Sequence, residues 1–179
     1  ENQYKILTVP VQPAEKSTIT DSTFINISET GINGYESVSY DGYFGKDVYS
    51  SLLYRDENSA KEYVNKRMSK GSNKFILGKY NINKVSPENN VAVISADFNI
   101  PGYSKKAGNE YYINLNLEKL LENTVIDTAK RKVPIENFFL YSLNQYHILN
   151  IPDGYEVSYL PANYRFENDL VQINMYYKT

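Results

Sequence analysis

The chain has 179 residues, with 19 Lys and Arg against 21 Asp and Glu, a formal net charge of -2. That length suits one domain with a real core and is short for two. There is no cysteine and one histidine. This excludes disulfides, thiol nucleophiles, cysteine-based metal sites and clustered imidazole ligands, while the charge balance argues against a non-specific binder of nucleic acid or anionic membrane.

Tyrosine is the outstanding bias, with 18 residues. Together with Ile, Val and Thr it favours pleated, half-buried surface, so a mostly β chain is expected. No run approaches the ~18 consecutive apolar residues of a membrane span, and no charged-then-apolar leader is present. The first residue is Glu1 rather than methionine, and the chain is read as a trimmed or excised piece of a longer protein.

In chain order, residues 18–28 alternate with period two, with Ile19, Thr23, Ile25 and Ile27 on one parity. Glu29-Thr30-Gly31 reads as a turn, and residues 34–41 return with Val38 and Tyr40 on one face, so a hairpin is expected. Residues 55–70 change period. Ala60, Tyr63, Val64, Arg67 and Met68 fall on one helical stripe. Asp56 is placed to cap its start and Gly71 to end it in a left-handed conformation. This is the one long helix that the pattern predicts, and its narrow stripe suits packing on a sheet.

Residues 75–84 and 91–100 read as strands, the second with Ala92, Ile94, Ala96, Phe98 and Ile100 on one face and the turn Pro87-Glu88-Asn89-Asn90 before it. Pro101-Gly102 ends it. Residues 111–117 alternate again, and residues 117–121 read as a short helical turn. An irregular stretch, 122–136, is followed by strand-like runs at 140–151, 155–160 and 170–177. Pro152-Asp153-Gly154 is a tight turn between the first two, and Asn168-Asp169 a turn before the last. The expected fold is therefore mostly β, of the α+β class, with antiparallel, sandwich-like sheets and one prominent helix near residues 56–70. A single region, 1–179, is expected, with a possible sub-boundary near 121–132.

The chemistry available is sparse. A histidine-assisted nucleophile would need His147, which lies in phase with Leu149 and Ile151 and reads as an ordinary strand histidine. Paired carboxylates can hydrolyse a glycosidic bond without Cys or His, but Asp and Glu are scattered over turns and polar faces. No phosphate loop, dinucleotide fingerprint or EF-hand pattern occurs. Lys105-Lys106 and Lys130-Arg131-Lys132 read as solvated loop charges, and Asn26-Ile27-Ser28 is formally a glycosylation sequon inside a strand. No cofactor and no metal are expected. Tyrosine combines ring area with a hydroxyl and suits sugars or protein interfaces. The adjacent pairs Tyr111-Tyr112 and Tyr176-Tyr177, however, point to opposite sheet faces and form no single platform.

The C-terminal third carries an ordered set of motifs: Arg131-Lys132-Val133-Pro134-Ile135, residues 138–141, Ile151-Pro152-Asp153-Gly154-Tyr155-Glu156-Val157, and Leu160-Pro161. It resembles the C-terminal domain, of unknown function, of exported transglutaminase-like proteins of Bacteroidetes-type bacteria, in which an R-x-x-P-I segment precedes a strand, an I-P-x-G-Y-x-V turn and an L-P. The resemblance covers residues 123–179, the motif-bearing part, and more loosely 31–55.

It implies a β-sandwich accessory domain downstream of a papain-like transglutaminase or protease core, in an exported, periplasmic or cell-surface protein. The catalytic Cys, His and Asp of such proteins sit in that core. With no cysteine here, no catalytic residue carries over, and this fragment is not expected to be an enzyme. Arg131, Pro134, Pro152, Gly154, Tyr155 and Pro161 are then structural motif residues. The turn is set by Pro152, Asp153 and Gly154, and Tyr155 opens the next strand. Pro134 and Pro161 fix chain direction at strand ends, and Arg131 holds a carboxylate or carbonyl groups of the irregular segment.

The expected function is a scaffold or protein-interaction surface, with the upstream catalytic core as partner and neither nucleic acid nor membrane insertion involved. The alternative is a carbohydrate- or cell-surface-binding module using exposed tyrosines, which requires two aromatics together on one sheet face. A third possibility, a carboxylate hydrolase, requires two acids about 5–10 Å apart in a cleft.

Overall fold

The period-two runs form the hairpin that the sequence predicts. β1 (Thr18–Ser28) pairs antiparallel with β2 (Gly31–Asp41) around Glu29-Thr30. The computed structural model describes residues 7–179 apart from 87, 89, 121, 123, 124, 126, 128 and 135. After β2 come two helices, α1 (Tyr43–Leu52) and α2 (Glu57–Met68), and then β3 (Ile76–Ser86) and β4 (Val91–Pro101). Two short strands, β5 (Lys105–Ala107) and β6 (Glu110–Tyr112), make a separate ribbon. β7 (Ser142–Asn150) returns to the main sheet, and β8 (Tyr164–Glu167) and β9 (Gln172–Met175) form a second ribbon.

The main sheet has the order β3-β4-β2-β1-β7. Its inward face is the odd parity of β1 and the even parity of β2 and β4, because the register sets Ile19 opposite Tyr40, Val38 opposite Ile94, and Ile32 opposite Ile100. Val48, Val64 and Met68 of the two helices bury Val38, Tyr40, Ala92, Ile94 and Ala96 at one end of that face. At the other end Leu117, with Leu115, Phe75 and Tyr103 around it, closes over Ile25, Ile32, Phe98 and Ile100. The result is a mostly β, α+β fold, layered like a sandwich, in which helices and an irregular strap cover the sheet.

Several expectations change. β7 joins β1 in parallel, with Thr23 opposite His147, so the sheet is mixed rather than built of hairpins. Parallel pairing needs a crossover of a dozen or more residues, and here β2, both helices and β3 to β6 all lie between the two strands in sequence. Phe139 anchors the stretch before β7 on α1, its ring 4.7 Å from Tyr43 and 5.3 Å from Phe44.

α1 was not predicted. Its stripe, Phe44, Val48 and Leu52, is helical, but it is only ten residues long and rich in aromatic and β-branched or hydroxyl side chains that weaken the propensity. Gly45 makes its close seating possible: a Cβ there would lie 2.0 Å from the Asn90 carbonyl oxygen and 2.7 Å from that of Tyr40.

α2 matches the predicted helix, and Asp56 caps it by accepting the Ser59 N–H at 2.8 Å. Gly71 is left-handed (φ 74°) but lies beyond the helix end, where its N–H donates to the Leu117 carbonyl at 2.8 Å. It therefore ties down the strap rather than capping α2.

Only residues 111–112 of the run expected at 111–117 are strand, as the end of β6; the rest lies over the core as the strap. In place of the helical turn expected at 117–121, a single turn is closed by the Glu122 N–H on the Lys119 carbonyl; Leu121 is outside the described residues. Residues 155–160 form no strand, and residues 170–177 do so only at Gln172–Met175, paired with β8. Parts of the turn at 87–90 and of the boundary near 121–132 lie outside the described residues.

Candidate functional site

Two places gather functional groups. The first is inside the core. On the inward face of β1 the parity that carries Ile19 and Ile25 also carries Asp21 and Thr23, and on β2 the parity of Val38 and Tyr40 also carries Glu36. Register sets Thr23 opposite Glu36, Gln145 opposite Asp21, and His147 opposite Thr23. This makes a polar band across three strands, between the two apolar clusters.

Lys70 enters the band from above. α2 ends at Met68, and the extended backbone of Ser69 after it turns the next side chain toward the sheet. The Lys70 ammonium pairs with the Asp21 carboxylate, lies 2.6 Å from Glu36 Oε2 and 3.5 Å from Glu118 Oε1, and donates to Thr23 Oγ1 at 3.1 Å. The Thr23 hydroxyl donates to Asp21 Oδ1 at 2.7 Å, and Gln145 Nε2 donates to Glu118 Oε2 at 2.6 Å.

One cation thus faces three carboxylates where the Asp21 and Glu36 side chains are 3% and 0% exposed. The Glu36 contact is close but not aligned as a hydrogen bond, and Oε1 has no partner among the described residues. Burial drives the Glu36 carboxyl up to about 7; Lys70 opposes this, and Asp21 and Glu118 add to it. Glu118 is raised as well, first by burial. Burial would lower Lys70, but Glu36 and Asp21 outweigh it and hold the ammonium above its ordinary range. His147, half-buried, is lowered by burial, with Asp21 opposing and Lys70 assisting; its ring meets the Leu115 carbonyl, and Nε2 has no partner among the described residues.

Near neutral pH Glu36 therefore holds a proton for much of the time. The acids that a glycosidase would need do converge, but Asp21 and Glu36 are enclosed in the core beneath α2 and the strap rather than set in a cleft. Among the described residues, no group of three or more His, Asp or Glu is arranged to hold a metal ion.

The second place is the outward face of the same sheet. Phe24 on β1 stands opposite Tyr35 on β2, flanked by Ile148 on β7 and Asp97 on β4. The next row along is Asn150, Asn26, Asn33 and Asn99. An open depression of about 420 Å³ is lined by Phe24, Asn26, Asn33, Tyr35 and Asp97, with Gly34 and Phe98 completing its wall.

The motif residues lie elsewhere. Arg131 donates from Nε to the Val133 carbonyl at 2.9 Å and from a terminal nitrogen to that of Pro134 at 3.1 Å, so it holds carbonyls. Gly154 is left-handed (φ 82°), and the Tyr155 N–H closes the turn on the Pro152 carbonyl at 3.1 Å. Tyr155 begins no strand; its ring lies 5.4 Å from that of Tyr111. Neither Pro134 nor Pro161 adjoins a strand, because the nearest strands begin at Ser142 and Tyr164. The motif residues surround neither gathering. No family model, curated protein or solved structure matches the chain.

Sequence reasoning missed Asp21, Glu36, Lys70 and Glu118. A signal for two of them existed: a charged residue at the inward parity on both strands of one hairpin requires a buried partner. None of the helices among the described residues is long and apolar enough to cross a membrane.

Proposed function

We propose that this chain is a non-catalytic accessory module of a larger exported, transglutaminase-like protein, serving its catalytic part as scaffold or docking surface at the periplasm or cell surface. The observation that carries the reading is the distribution of apolar surface. Over residues 138–176, Phe138, Tyr159, Leu170 and Tyr176 stand in solvent, Leu170 at 93% exposure. Apolar surface concentrated in one stretch of chain suits a partner that covers it. The Arg131 clamp and the Pro152–Tyr155 turn shape the same stretch, and they are the residues on which the transglutaminase-like resemblance rests. The buried ionic band supports the reading in a second way: its Asp, Glu and Lys side chains are engaged with one another and turned away from solvent.

The test has two parts. The isolated chain is assayed for peptidase and transamidation activity, and it is mixed with the separately expressed upstream segment and followed by analytical ultracentrifugation. Association that Leu170→Asp and Tyr159→Asp weaken is the expected result. Robust turnover by the isolated chain, or no association at any accessible concentration, defeats the proposal.

A further inference from the structure

The outward face of the main sheet has a composition that neither the core nor the scaffold role requires. Strands facing plain solvent commonly carry charged side chains, which also guard against edge pairing. Here two adjacent rows toward the β1–β2 turn hold three apolar groups, four carboxamides and one carboxylate, and no cation: Ile148, Phe24, Tyr35 and Asp97 in one, Asn150, Asn26, Asn33 and Asn99 in the other. Phe24 and Tyr35 are 46% and 42% exposed although both strands of the hairpin lie inside the sheet, paired on either side. Asn26 and Asn150 meet at 3.3 Å, and no side-chain hydrogen bond engages Asn33 among the described residues.

We propose that this band binds a neutral oligosaccharide, laid across the strands with its ring faces on Phe24 and Tyr35 and its hydroxyls on the asparagine row and Asp97. The chemistry selects the class. Sugar hydroxyls donate and accept at once, and so does a carboxamide, so each asparagine meets a hydroxyl in either sense. A carboxylate accepts two hydroxyl donors from one ring edge. Aromatic faces, electron-rich above the ring, pair with the apolar C–H face of a sugar.

Phosphates, nucleic acids and acidic headgroups need cations, and these rows offer only Asp97, which repels them. A stable protein interface has a desolvated apolar centre with polar groups at its rim; four amides beside the aromatic pair invert that order. Four strands at about 4.8 Å spacing make each row about 14 Å long, which calls for several sugar units rather than one.

This inference does not rest on the accessory-module reading and extends past it. Isothermal titration of the whole chain with cellotetraose, mannotetraose and chitotetraose tests it. At least one is expected to bind with a dissociation constant of about 1 mM or tighter. Phe24→Ala and Tyr35→Ala are each expected to weaken that binding about tenfold. Asn33→Ala, at an exposed position whose change leaves the core intact, is expected to weaken it about threefold. Tyr112→Ala, exposed and outside the band, leaves it unchanged. Thermal melting of each variant confirms folding, and Asn33→Ala keeps the test valid should an aromatic variant misfold. No heat with any of the three sugars up to about 10 mM, binding indifferent to Phe24, Tyr35 and Asn33, or a protein found on this face while no sugar binds, overturns the proposal. Association through Leu170 and Tyr159 is untouched by any of these outcomes.

Discussion

Replacing Glu36 with glutamine tests the buried band most directly. The side chain is fully buried, and its carboxyl is raised from 4.5 to about 7. Between those values the folded protein keeps a proton that the unfolded chain releases. Stability contributed by the group is whole below pH 4.5 and is lost as pH rises toward 7. At about 1.4 kcal/mol per pH unit the loss amounts to roughly 3 kcal/mol by pH 8. Glutamine is nearly isosteric with the protonated acid and has no proton to lose. Glu36→Gln is therefore expected to match wild type near pH 4.5 and to exceed it by roughly 3 kcal/mol at pH 8.

Other groups also titrate. Glu118, raised, adds to the decline with pH. His147, lowered, acts in the opposite sense, costing stability as pH falls below 6.5. Both are present in the two proteins, so the difference between variant and wild type reports Glu36 together with the repulsion between it and Glu118. Urea unfolding at pH 5 and pH 8 measures it, with the slope m checked for constancy. A difference that is the same at both pH values, or a variant less stable than wild type at pH 8, refutes the assignment of the proton to Glu36.

Three further outcomes are expected. Lys70→Met leaves Asp21 and Glu36 buried without their cation and is expected to cost about 3–5 kcal/mol at pH 8, and less at pH 5, where Glu36 takes up a proton; denaturant titration at the two pH values reads the contrast. Asp56→Ala removes the acceptor of the Ser59 N–H and is expected to cost about 1 kcal/mol, seen as a lower melting temperature with an unchanged sheet signal in circular dichroism. Gly45→Ala gains about 1 kcal/mol of helix propensity but drives a methyl against two backbone carbonyls, a strain of about 1–3 kcal/mol; net destabilisation is expected, and a rise in melting temperature would mean that α1 sits farther from β4 than its contacts indicate.

Much of this molecule was written locally. The hairpin of β1 and β2, the face of β4, the Asp56 cap and stripe of α2, and the turns at Gly154 and Asn168 follow from period, capping chemistry and turn residues within a few positions of one another. Composition and alternation likewise sufficed for the mostly β class.

What the chain does between those elements depended on partners far away in sequence. Only the tertiary fold sets β7 parallel to β1, because its partner lies more than a hundred residues back in the chain and no local pattern names it. Residues 113–118 alternate as a strand would, yet they become a strap because Leu115 and Leu117 pack over Ile25, Ile32, Phe98 and Ile100 instead of pairing at a sheet edge. Lys70 meets Asp21 and Glu36 across separations of tens of residues, and the Phe24–Tyr35 band exists only once register has aligned four strands. Local pattern fixes which way a side chain points relative to its own backbone; which neighbours it then finds is a property of how the segments pack.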